Sequence, residues 1–441
     1  MDARKGPVVL VLCAAALSCG DWHSDDDGFT ELDNRKLQSM VLSATPNDLG
    51  NDWAHDPAVR KFGQRLFFTK GMAKTGGVAC TDCHSPREWF SDERIKRNVS
   101  VGLGITKRNS PTLVNVAFYT AFAWDGRADS IWGQSHIAFK SGATMGGTKQ
   151  SAVAFVRANY ASEYDAAFGA DIASESVDET YVKLLKAWGA YLTTLVSRNS
   201  PFDRFASGAD RFALNDAEKR GLTLFLGKAG CIQCHSGPML SDSRFYNVGI
   251  GQTGDDVQPD NGRFDGLTEL KLLDDAGYRP MPAPEVPVPA ESDKNLYRTK
   301  SLRNVAKTGP YFHAGQAATL KDVVWFYNQG GDCFGQNLAS FIVPLGLTDA
   351  EQADLVSFLG SLTGDEVPAE FRCDNAKDIP TMPFRFTPLA DFSADGGVIG
   401  GDGGVWMPTD AGHVTVLPND GGTFNATWYE PWPREFTRCT Q

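Results

Sequence analysis

A five-residue pattern, Cys-x-x-Cys-His, occurs twice in this chain of 441 residues and constrains its fold more than any other feature. The two copies, called here the first and second pentads, lie about 150 residues apart and contain Cys80, Cys83 and His84, and Cys231, Cys234 and His235. The pattern is the attachment signal for c-type haem, in which two thiols bond to the haem vinyl groups and the following histidine can ligate the iron. The sequence therefore predicts two covalently attached c-type haems.

Two other kinds of site share part of this pattern. A zinc site would need the two pentads to meet across about 150 residues, unlike the compact ligand spacing of zinc modules. A redox-active Cys-x-x-Cys pair does not need the histidine that follows both pairs here. Haem attachment is the interpretation that uses every residue of both pentads.

The N-terminus resembles an export signal. Arg4 and Lys5 precede a short apolar run over residues 7–17, which is too short to span a bilayer and is followed by a polar segment. Cys19, in ALSCG, stands where a bacterial lipoprotein cysteine would be, although Ala16 replaces the commoner leucine. We therefore predict an export signal at 1–19, a polar tether at 20–50 and a periplasmic protein lipid-anchored to the outer membrane, with a soluble exported form as the alternative.

The net charge narrows the possible partners, and the cysteine content predicts a disulfide. The net charge is −12 and no basic run occurs, which argues against a nucleic-acid partner. Outside the pentads and the N-terminal segment, Cys333, Cys373 and Cys439 remain. In an oxidising compartment these three residues predict one disulfide and one thiol, and the pairing stays open.

The pattern of apolar residues predicts a mainly α-helical fold. Asp56 and Pro57 are typical of a helix start, and Val59, Phe62, Leu66 and Phe67 then share one face. A second amphipathic segment covers residues 177–197, and Thr348 with Glu351 forms the capping box of a third. We expect a first haem domain at 51–205, a second at 206–375, and a Gly/Asp-rich linker with a Trp-rich tail at 376–441.

Several motifs together resemble the bacterial di-haem cytochrome c peroxidases and their relative MauG. Besides the pentads, the chain contains KFGQRLFF, RNSPTLVNVAF, AWDGRADSIWGQ and SLRNVAKTGPYFHAG in the expected order, over residues 57–363. The resemblance implies two cytochrome c-like helical domains with one haem each and a calcium ion at their interface. It implies hydrogen peroxide as oxidant and a protein as electron donor or substrate.

Individual roles follow from the same resemblance. Trp124 matches the tryptophan that relays oxidising equivalents between the haems, although it could instead be a core residue, and Gln134 matches the distal-pocket glutamine. Asn109, with the carbonyls of Thr308 and Pro310, matches the calcium ligands. Many members carry a histidine after the first pentad that blocks the first haem until reduction, and this chain has none there. We therefore expect an open first haem, as in MauG.

The sixth ligand of the second haem is expected to be Tyr327, fourteen residues after His313, because MauG uses tyrosine at this place. Tyr327 could also be a core residue, and Met239 and Met281 are rival ligands. A tyrosine oxygen does not raise a haem potential as methionine does. The second haem would then be a poor electron acceptor from a cytochrome c.

The distal pocket departs from the family. Where other members have a glutamate for acid–base chemistry, this chain has Thr144, followed by Met145, and Ala138 replaces the distal proline. His136 has a suitable pKa range to substitute for the glutamate, but it could equally be a surface residue. The alternatives are an ordered water as the proton route or slow peroxide turnover.

Three functions fit these residues. The first is an oxidase that shares the oxidising equivalents of peroxide between two haems and oxidises a protein partner. The second is an ordinary cytochrome c peroxidase, and the third is a di-haem electron carrier or redox sensor. Tyr327 and the absent blocking histidine favour the first, whereas Thr144 favours the third.

Overall fold

Helices dominate the fold. A computed structural model describes residues 28–92, 100, 102–251, 259–332 and 337–373, together with five short strands between residues 391 and 426. The helices of the described residues are α1 (Glu31–Ser39), α2 (Pro57–Phe68), α3 (Ile131–Lys140), α4 (Lys149–Asn159), α5 (Ala161–Phe168), α6 (Val177–Leu192), α7 (Pro201–Ala206), α8 (Asp216–Leu226), α9 (Arg263–Asp275), α10 (Leu320–Asn328) and α11 (Asp349–Gly360). The predicted mainly α fold is confirmed.

The predicted helix starts are also confirmed. The Asp56 carboxylate accepts hydrogen bonds from the first amides of α2, at 2.8 Å from Ala58 N and 3.0 Å from Val59 N. At α11, the Thr348 hydroxyl accepts from Glu351 N, and the Glu351 carboxylate accepts from Thr348 N. The segment at 177–197 begins as a capped helix at Val177 but ends at Leu192.

Two helix crossings without room for a side chain organise the described body. A Cβ atom added to Gly63 of α2 would lie 1.8 Å from the carbonyl oxygen of Ala187 in α6. A Cβ added to Gly221 of α8 would lie 2.1 Å from the carbonyl oxygen of Asp354 in α11. Glycine thus lets α2 meet α6 and α8 meet α11 at backbone distance.

The buried apolar side chains of the described residues form two cores. The first core runs from Val59 to Leu195 and the second from Phe202 to Leu362, and each includes a helix from elsewhere in the chain. Helix α9 contributes Leu267, Leu270 and Leu273 to the first core. Helix α1 contributes Leu37 to the second. The two cores therefore exchange helices.

This exchange corrects two expectations. Residues 28–50 are not a polar tether, because α1 packs on the second core, with Leu37 fully buried and Phe29 edge-on to Phe205 at 5.5 Å. The division between the cores lies nearer residue 200 than 205, because Phe202 and Phe205 of α7 belong to the second core. Residues 1–27, with the predicted export signal and Cys19, lie outside the described residues.

The strands of the described residues are short. In the described body, β1 (Phe245–Tyr246) pairs antiparallel with β2 (Tyr297–Arg298). In the C-terminal region, β3 (Asp391–Phe392) pairs with β4 (Val398–Ile399), and β5 (Val405–Pro408), β6 (Val414–Leu417) and β7 (Phe424–Ala426) form an antiparallel sheet. The Pro-rich stretch 279–290 contains no helix or strand.

Some sequence expectations fall on residues that are not described. Trp428, Trp432, Cys333 and Cys439 lie outside the described residues, and Cys373 is buried. The predicted disulfide therefore stays a prediction. In the described part of the chain, no helix is long and apolar enough to cross a membrane.

Candidate haem site

The first pentad forms a tight turn that orients its histidine. Residues Cys80–Asp82 form one 3₁₀ turn, and the His84 amide donates to the Cys80 carbonyl at 3.0 Å. The His84 ring places Nδ1 3.1 Å from the carbonyl oxygen of Phe90. A backbone carbonyl at Nδ1 fixes the tautomer and assigns metal binding to Nε2.

The second pentad repeats this geometry. Residues Cys231–Gln233 form the 3₁₀ turn, and the His235 amide donates to the Cys231 carbonyl at 2.9 Å. His235 Nδ1 lies 2.9 Å from the carbonyl oxygen of Leu240. Both histidines are thus held as axial haem ligands are held, each by a carbonyl five or six residues further on.

Both pentads line one cavity of about 870 Å³ at the meeting of the two cores. Its wall also contains most of the candidate residues from the sequence: Asn109, Trp124, Gln134, Thr144, Thr308, Pro310 and Tyr327. The arrangement brings residues of both halves of the chain around a single space.

The pentad cysteines are only partly exposed to solvent. Burial raises the pKa of Cys80 and of Cys231 to about 12 and that of Cys234 to about 11. A redox-active Cys-x-x-Cys pair needs a lowered thiol pKa, so this environment argues against that alternative. Among the described residues, no three or more His, Cys, Asp or Glu side chains are grouped to hold a metal ion. The residues fit covalently attached haem.

A repeated segment connects the two halves of the cavity. Residues 115–138 and 304–327 share the letters NVA at their start, and their backbones match at several equivalent positions. The matching features are left-handed residues at Asn115 and Asn304 and at Ala123 and Phe312, bridges Phe122–Ala128 and Tyr311–Ala317, and helix caps Ser130 and Thr319. We call these two stretches the repeated segments.

The repeated segments differ where an axial ligand would stand. Tyr327 lies eight residues after the cap of α10, and Ala138 lies eight residues after the cap of α3. Both line the cavity, and loss of solvent together with the nearby Cys234 and Cys231 raises the pKa of Tyr327. A phenol therefore faces the cavity in the second half, and a methyl group faces it in the first.

The rival ligands of the second haem are less well placed. Met281 is 80% exposed to solvent, on the surface of the Pro-rich stretch. Met239 is buried but does not line the cavity. Tyr327 is the candidate among the three that faces the cavity.

Gln134 and Thr144 form the polar part of the distal side in the first half. The Gln134 Oε1 atom is buried and has no hydrogen-bond partner among the described residues. The Thr144 hydroxyl faces two backbone carbonyls, those of Ala138 and, at 3.1 Å, Ser141. Its single proton is therefore directed at the backbone, and Gln134 is the side chain with hydrogen-bonding capacity left for the cavity.

His136 does not belong to this pocket. Neighbouring residues of α3 line the cavity, but the His136 ring lies on the other side of the helix, stacked on Tyr278 with ring centroids 4.0 Å apart. Its Nδ1 lies 3.1 Å from the Tyr181 hydroxyl. The expectation that His136 replaces the distal glutamate is therefore wrong, because the helix period turns position 136 away when Gln134 faces the cavity.

Trp124 is fixed by both halves of the chain. Its Nε1 donates to the Asn109 carbonyl at 2.8 Å, and its own carbonyl accepts from Arg298 N at 2.7 Å. Lys300 Nζ lies 4.6 Å from the centre of the indole ring and donates to the Ala123 carbonyl at 3.1 Å. The indole thus lines the cavity with a lysine beside its face.

A buried ionic network holds the segment that carries Trp124. Asp125 is fully buried and contacts Arg108 at 2.6 Å and Arg127 at 2.7 Å. Burial alone would raise the pKa of Asp125, but the Arg127 and Arg108 guanidiniums hold it well below its usual range. Arg108 also pairs with Asp260. These charges compensate one another and fix residues 124–127 against both halves.

The candidate calcium ligands meet at the same interface. Asn109 Nδ2 donates to the Pro310 carbonyl oxygen at 3.3 Å, and Asn109 N donates to the His313 carbonyl at 2.8 Å. Thr308, two residues before Pro310, also lines the cavity. Amide and carbonyl oxygens are ligands that Ca²⁺ accepts.

Sequence reasoning missed His313 and Lys300. His313 occupies, in the second repeated segment, the position that Trp124 occupies in the first, six residues before the helix cap. It stacks on Tyr297 at 3.7 Å, and its buried Nε2 has no hydrogen-bond partner among the described residues. Burial lowers the pKa of His313 to about 3, so the ring is neutral at pH 7. The shared letters NVA are the signal that could have identified this position.

Known proteins share both the sequence and the fold. The family model of the di-haem cytochrome c peroxidases matches residues 57–211. The cytochrome-c peroxidase IdrP1 of Denitromonas iodatirespirans is 35% identical over 350 residues, which cover 74% of this chain and 85% of that protein. The methylamine utilization protein MauG of Methylorubrum extorquens is 32% identical over 305 residues, covering 69% of this chain and 77% of that protein.

A solved structure of a MauG-like protein associated with microbial copper homeostasis aligns with a TM-score of 0.61 at 27% identity, covering 76% of this chain and 97% of that one. The mainly helical body accordingly consists of two cytochrome c-like domains, and the two pentads correspond to two c-type haems. The chain belongs to the family of the di-haem cytochrome c peroxidases and MauG.

Proposed function

We propose that this protein takes hydrogen peroxide at an open first haem and transfers the oxidising equivalents, through Trp124 and the second haem, to a protein electron donor or substrate. The observation that carries the proposal is the difference between the repeated segments. At one helix position the second half presents the Tyr327 phenol, and the first half presents the Ala138 methyl group. A small side chain leaves access for peroxide, whereas a phenol can ligate.

The distal side of the first half orients peroxide without supplying a carboxylate. The Gln134 amide is positioned to hydrogen-bond a small oxygen-containing ligand, since its buried Oε1 has no partner among the described residues. Because the Thr144 proton points to backbone carbonyls, proton movement depends on water held by these two side chains. This arrangement predicts slower peroxide activation than in relatives with a glutamate.

Trp124 acts as the relay because its position is fixed and its proton is retained. The indole N–H donates to the Asn109 carbonyl, which cannot accept a full proton, so Trp124 gives up an electron and keeps its hydrogen. When bound, the haems supply redox-active iron whose potential depends on the axial ligand. Tyr327 would hold the second iron through oxygen, and His84 and His235 would hold the two irons through Nε2.

Calcium, partner and location complete the proposal. Asn109 and the carbonyls of Thr308 and Pro310 would bind calcium and join the two halves at the relay.

Export by residues 1–19 would bring the chain to the periplasm, where haem attachment takes place, with Cys19 as the lipid anchor to the outer membrane. The partner is a protein rather than a nucleic acid, in keeping with the net charge of −12.

A second candidate is a di-haem electron carrier or redox sensor. It is favoured by Thr144, whose hydroxyl is committed to the backbone and cannot shuttle protons as a carboxylate can. An ordinary cytochrome c peroxidase is less well supported, because Met239 and Met281 do not face the cavity.

The test uses ferric protein matured with both haems. A resting electron paramagnetic resonance (EPR) spectrum should show one high-spin haem, and peroxide should change the optical spectrum without prior reduction. Two low-spin haems and no response to peroxide would contradict the proposal.

Thr144→Glu separates the two candidates. It should accelerate the peroxide reaction at least about tenfold, since acid–base assistance is typically worth about 10²–10⁴-fold. Thr144→Val and His136→Ala, the matched controls, should change the rate only a few-fold. An inert wild type that gains activity with Thr144→Glu would favour the carrier or sensor.

A further inference from the structure

The side of α3 that faces away from the haem cavity carries an aromatic cluster of its own. His136 stacks on Tyr278 at 4.0 Å, with an angle of 20° between the rings. Its Nδ1 lies 3.1 Å from the Tyr181 hydroxyl, and the Tyr181 and Tyr278 rings are 5.9 Å apart, edge to face. A phenol and an imidazole are therefore hydrogen-bonded inside a cluster of three rings, which the proposed function does not use.

Ring contacts connect this cluster to the cavity. Tyr181 lies 6.1 Å from Phe139, and Phe139 lies 5.6 Å from Trp188, measured between ring centroids. Phe139 and Trp188 both line the cavity of the first haem. In the other direction Tyr278 is partly exposed, so the contacts run from the cavity wall to the protein surface. This row of ring contacts does not include Trp124, which lies on the side of the cavity nearer the second half of the chain.

The chemistry of the pair favours coupled loss of an electron and a proton. A buried phenol loses an electron readily only if its proton leaves too, and burial raises the pKa of Tyr181 and so disfavours its anion. His136 can accept the proton, because burial, and then Lys140, lower its pKa to about 4 and keep the ring neutral at pH 7. Lys149 and Asp178, close to Tyr278, pair with each other at the surface.

We propose that Tyr181 and His136 form a redox-active pair on a second exit route for oxidising equivalents, which leads from the first haem through Trp188 to Tyr278. In the central step the Tyr181 O–H bond breaks. Its electron goes to the first haem, where it reduces one of the two oxidising equivalents that peroxide has delivered, and its proton moves to His136 Nδ1. The products are a neutral tyrosyl radical and an imidazolium. A soluble one-electron reductant of the phenol or ascorbate class then supplies an electron, which Tyr278 passes to Tyr181, and the His136 imidazolium returns its proton to the Tyr181 oxygen. The reductant leaves in its one-electron-oxidised form.

This inference rests on the proposed function for its oxidant but not for its geometry. The pair would allow the oxidised protein to be reduced by a small molecule when no protein partner supplies electrons. It also assigns His136 a role that the distal pocket does not provide, since the pair acts on the opposite side of α3.

The first experiment looks for the radical in the protein with both haems. Ferric protein is mixed with one equivalent of hydrogen peroxide, frozen rapidly and examined by EPR, with ring-deuterated tyrosine to identify the signal. The tyrosyl signal should disappear in Tyr181→Phe, which removes only the hydroxyl. His136→Phe keeps a ring against Tyr278 but removes the base, and should reduce the yield at least about tenfold. The yield in the wild type should also fall as the pH approaches 4.

The control is Tyr164→Phe. Tyr164 is a fully buried tyrosine of the same core, hydrogen-bonded to Glu175 at 2.5 Å, and does not line the cavity. Its substitution should leave the signal unchanged. Loss of the signal in Tyr164→Phe but not in Tyr181→Phe would overturn the assignment.

The second experiment supplies the oxidant without peroxide. A photo-oxidised ruthenium tris-bipyridine complex is generated by flash-quench beside the same protein, and it oxidises the cluster from the Tyr278 side. Wild type should give the same tyrosyl signal, slowed in D₂O, and Tyr181→Phe should not. If peroxide leaves the haem spectrum unchanged but the flash gives the radical, the proposed function is wrong and the pair stands. If peroxide reacts but neither experiment gives a Tyr181 radical, the pair is wrong and the proposed function stands.

Discussion

Ala138 and Tyr327 occupy the same position in two helices that begin with the same kind of cap. The surrounding backbone is repeated, so the two halves can be compared side chain by side chain: Ala138 against Tyr327 at this position, and Trp124 against His313 at another. At the scale of single residues, the proposed function therefore depends most directly on this helix position.

Tyr327→Phe tests this position directly. Removing the hydroxyl should take away the oxygen ligand, convert the second haem from low-spin to a different ferric signal in the EPR spectrum and leave the first haem unchanged. Tyr311→Phe is the matched control, because Tyr311 also lines the cavity but donates its hydroxyl to the Val305 carbonyl at 3.0 Å. An unchanged EPR signal of the second haem in Tyr327→Phe would show that Tyr327 is a core residue and not a ligand.

Single residues also show where sequence reasoning reaches its limit. The pentads could be found because local spacing defines them, and Trp124, Gln134 and Tyr327 could be found through the resemblance of their motifs to the family. All of them line the cavity. His136 was misplaced because proximity in sequence to Gln134 does not decide which side of a helix a residue occupies. Lys300 was missed because its contact with Trp124 depends on tertiary packing across 176 residues.

At the scale of elements, the α2–α6 crossing depends on the absence of a side chain at Gly63. Gly63→Ala would place a methyl group against the Ala187 carbonyl and force the helices apart. We expect the free energy of unfolding to fall by about 2 kcal/mol or more. Gly360→Ala in α11 is the control, because nothing lies within 4 Å of its added Cβ. Thermal or denaturant unfolding of both variants measures the difference, and equal stability of the two would contradict it.

The start of α3, the helix that carries Gln134, depends on a buried carboxylate. Asp48 accepts from Ile131 N at 2.8 Å and from Asn51 at 3.0 Å, and burial raises its pKa from 3.8 to about 6. Because the folded state holds this proton more tightly than the unfolded state, the contribution of Asp48 to stability falls as pH rises from about 4 to 6 and stays lower above that range.

Asp48→Asn removes this titration. The stability of the variant relative to wild type should improve by up to about 3 kcal/mol between pH 4 and pH 7, since each pKa unit corresponds to about 1.4 kcal/mol. Asp52→Asn, at an exposed carboxylate nearby, should show no such trend. Denaturant unfolding at a series of pH values measures both, and a pH-independent difference for Asp48→Asn would refute the assignment.

Helix starts were predictable because caps are local, as at Asp56 and Thr348. Helix α1 was not predicted, although Thr30 and Asp33 form its capping box, because the surrounding residues are polar and its burial depends on the distant second core. Local chemistry thus determined where helices begin, and long-range packing determined which segments remain folded against the body.

At the scale of the whole molecule, the two cores exchange helices. Helix α9 completes the first core with Leu267, Leu270 and Leu273, and α1 completes the second. Residues between α1 and α2 run across the junction, where Asn47 N donates to the Ala117 carbonyl and the Met40 carbonyl accepts from Arg303. The two domains are therefore tied together by more than one connection.

Unfolding should reflect this exchange. The full protein with both haems should show one cooperative calorimetric transition, because neither core is complete without the other half. A fragment of residues 51–205 should bind an apolar dye and unfold without cooperativity, since it lacks α9. A version of the fragment with residues 259–290 joined through a flexible linker should regain much of the transition. A cooperative fragment 51–205 with the stability of the full protein would contradict this view.

The exchanged helices also bear on how such a protein could be recombined. A cut in the chain near residue 200 separates the pentads cleanly in sequence, yet each piece leaves behind a helix that its core needs. Neither half could be transferred to another protein as a single-haem module by one crossover in its gene. A duplication would account for the repeated segments. Because α1 and α9 are exchanged, however, each domain needs a helix from the other half, and the two domains would be inherited together.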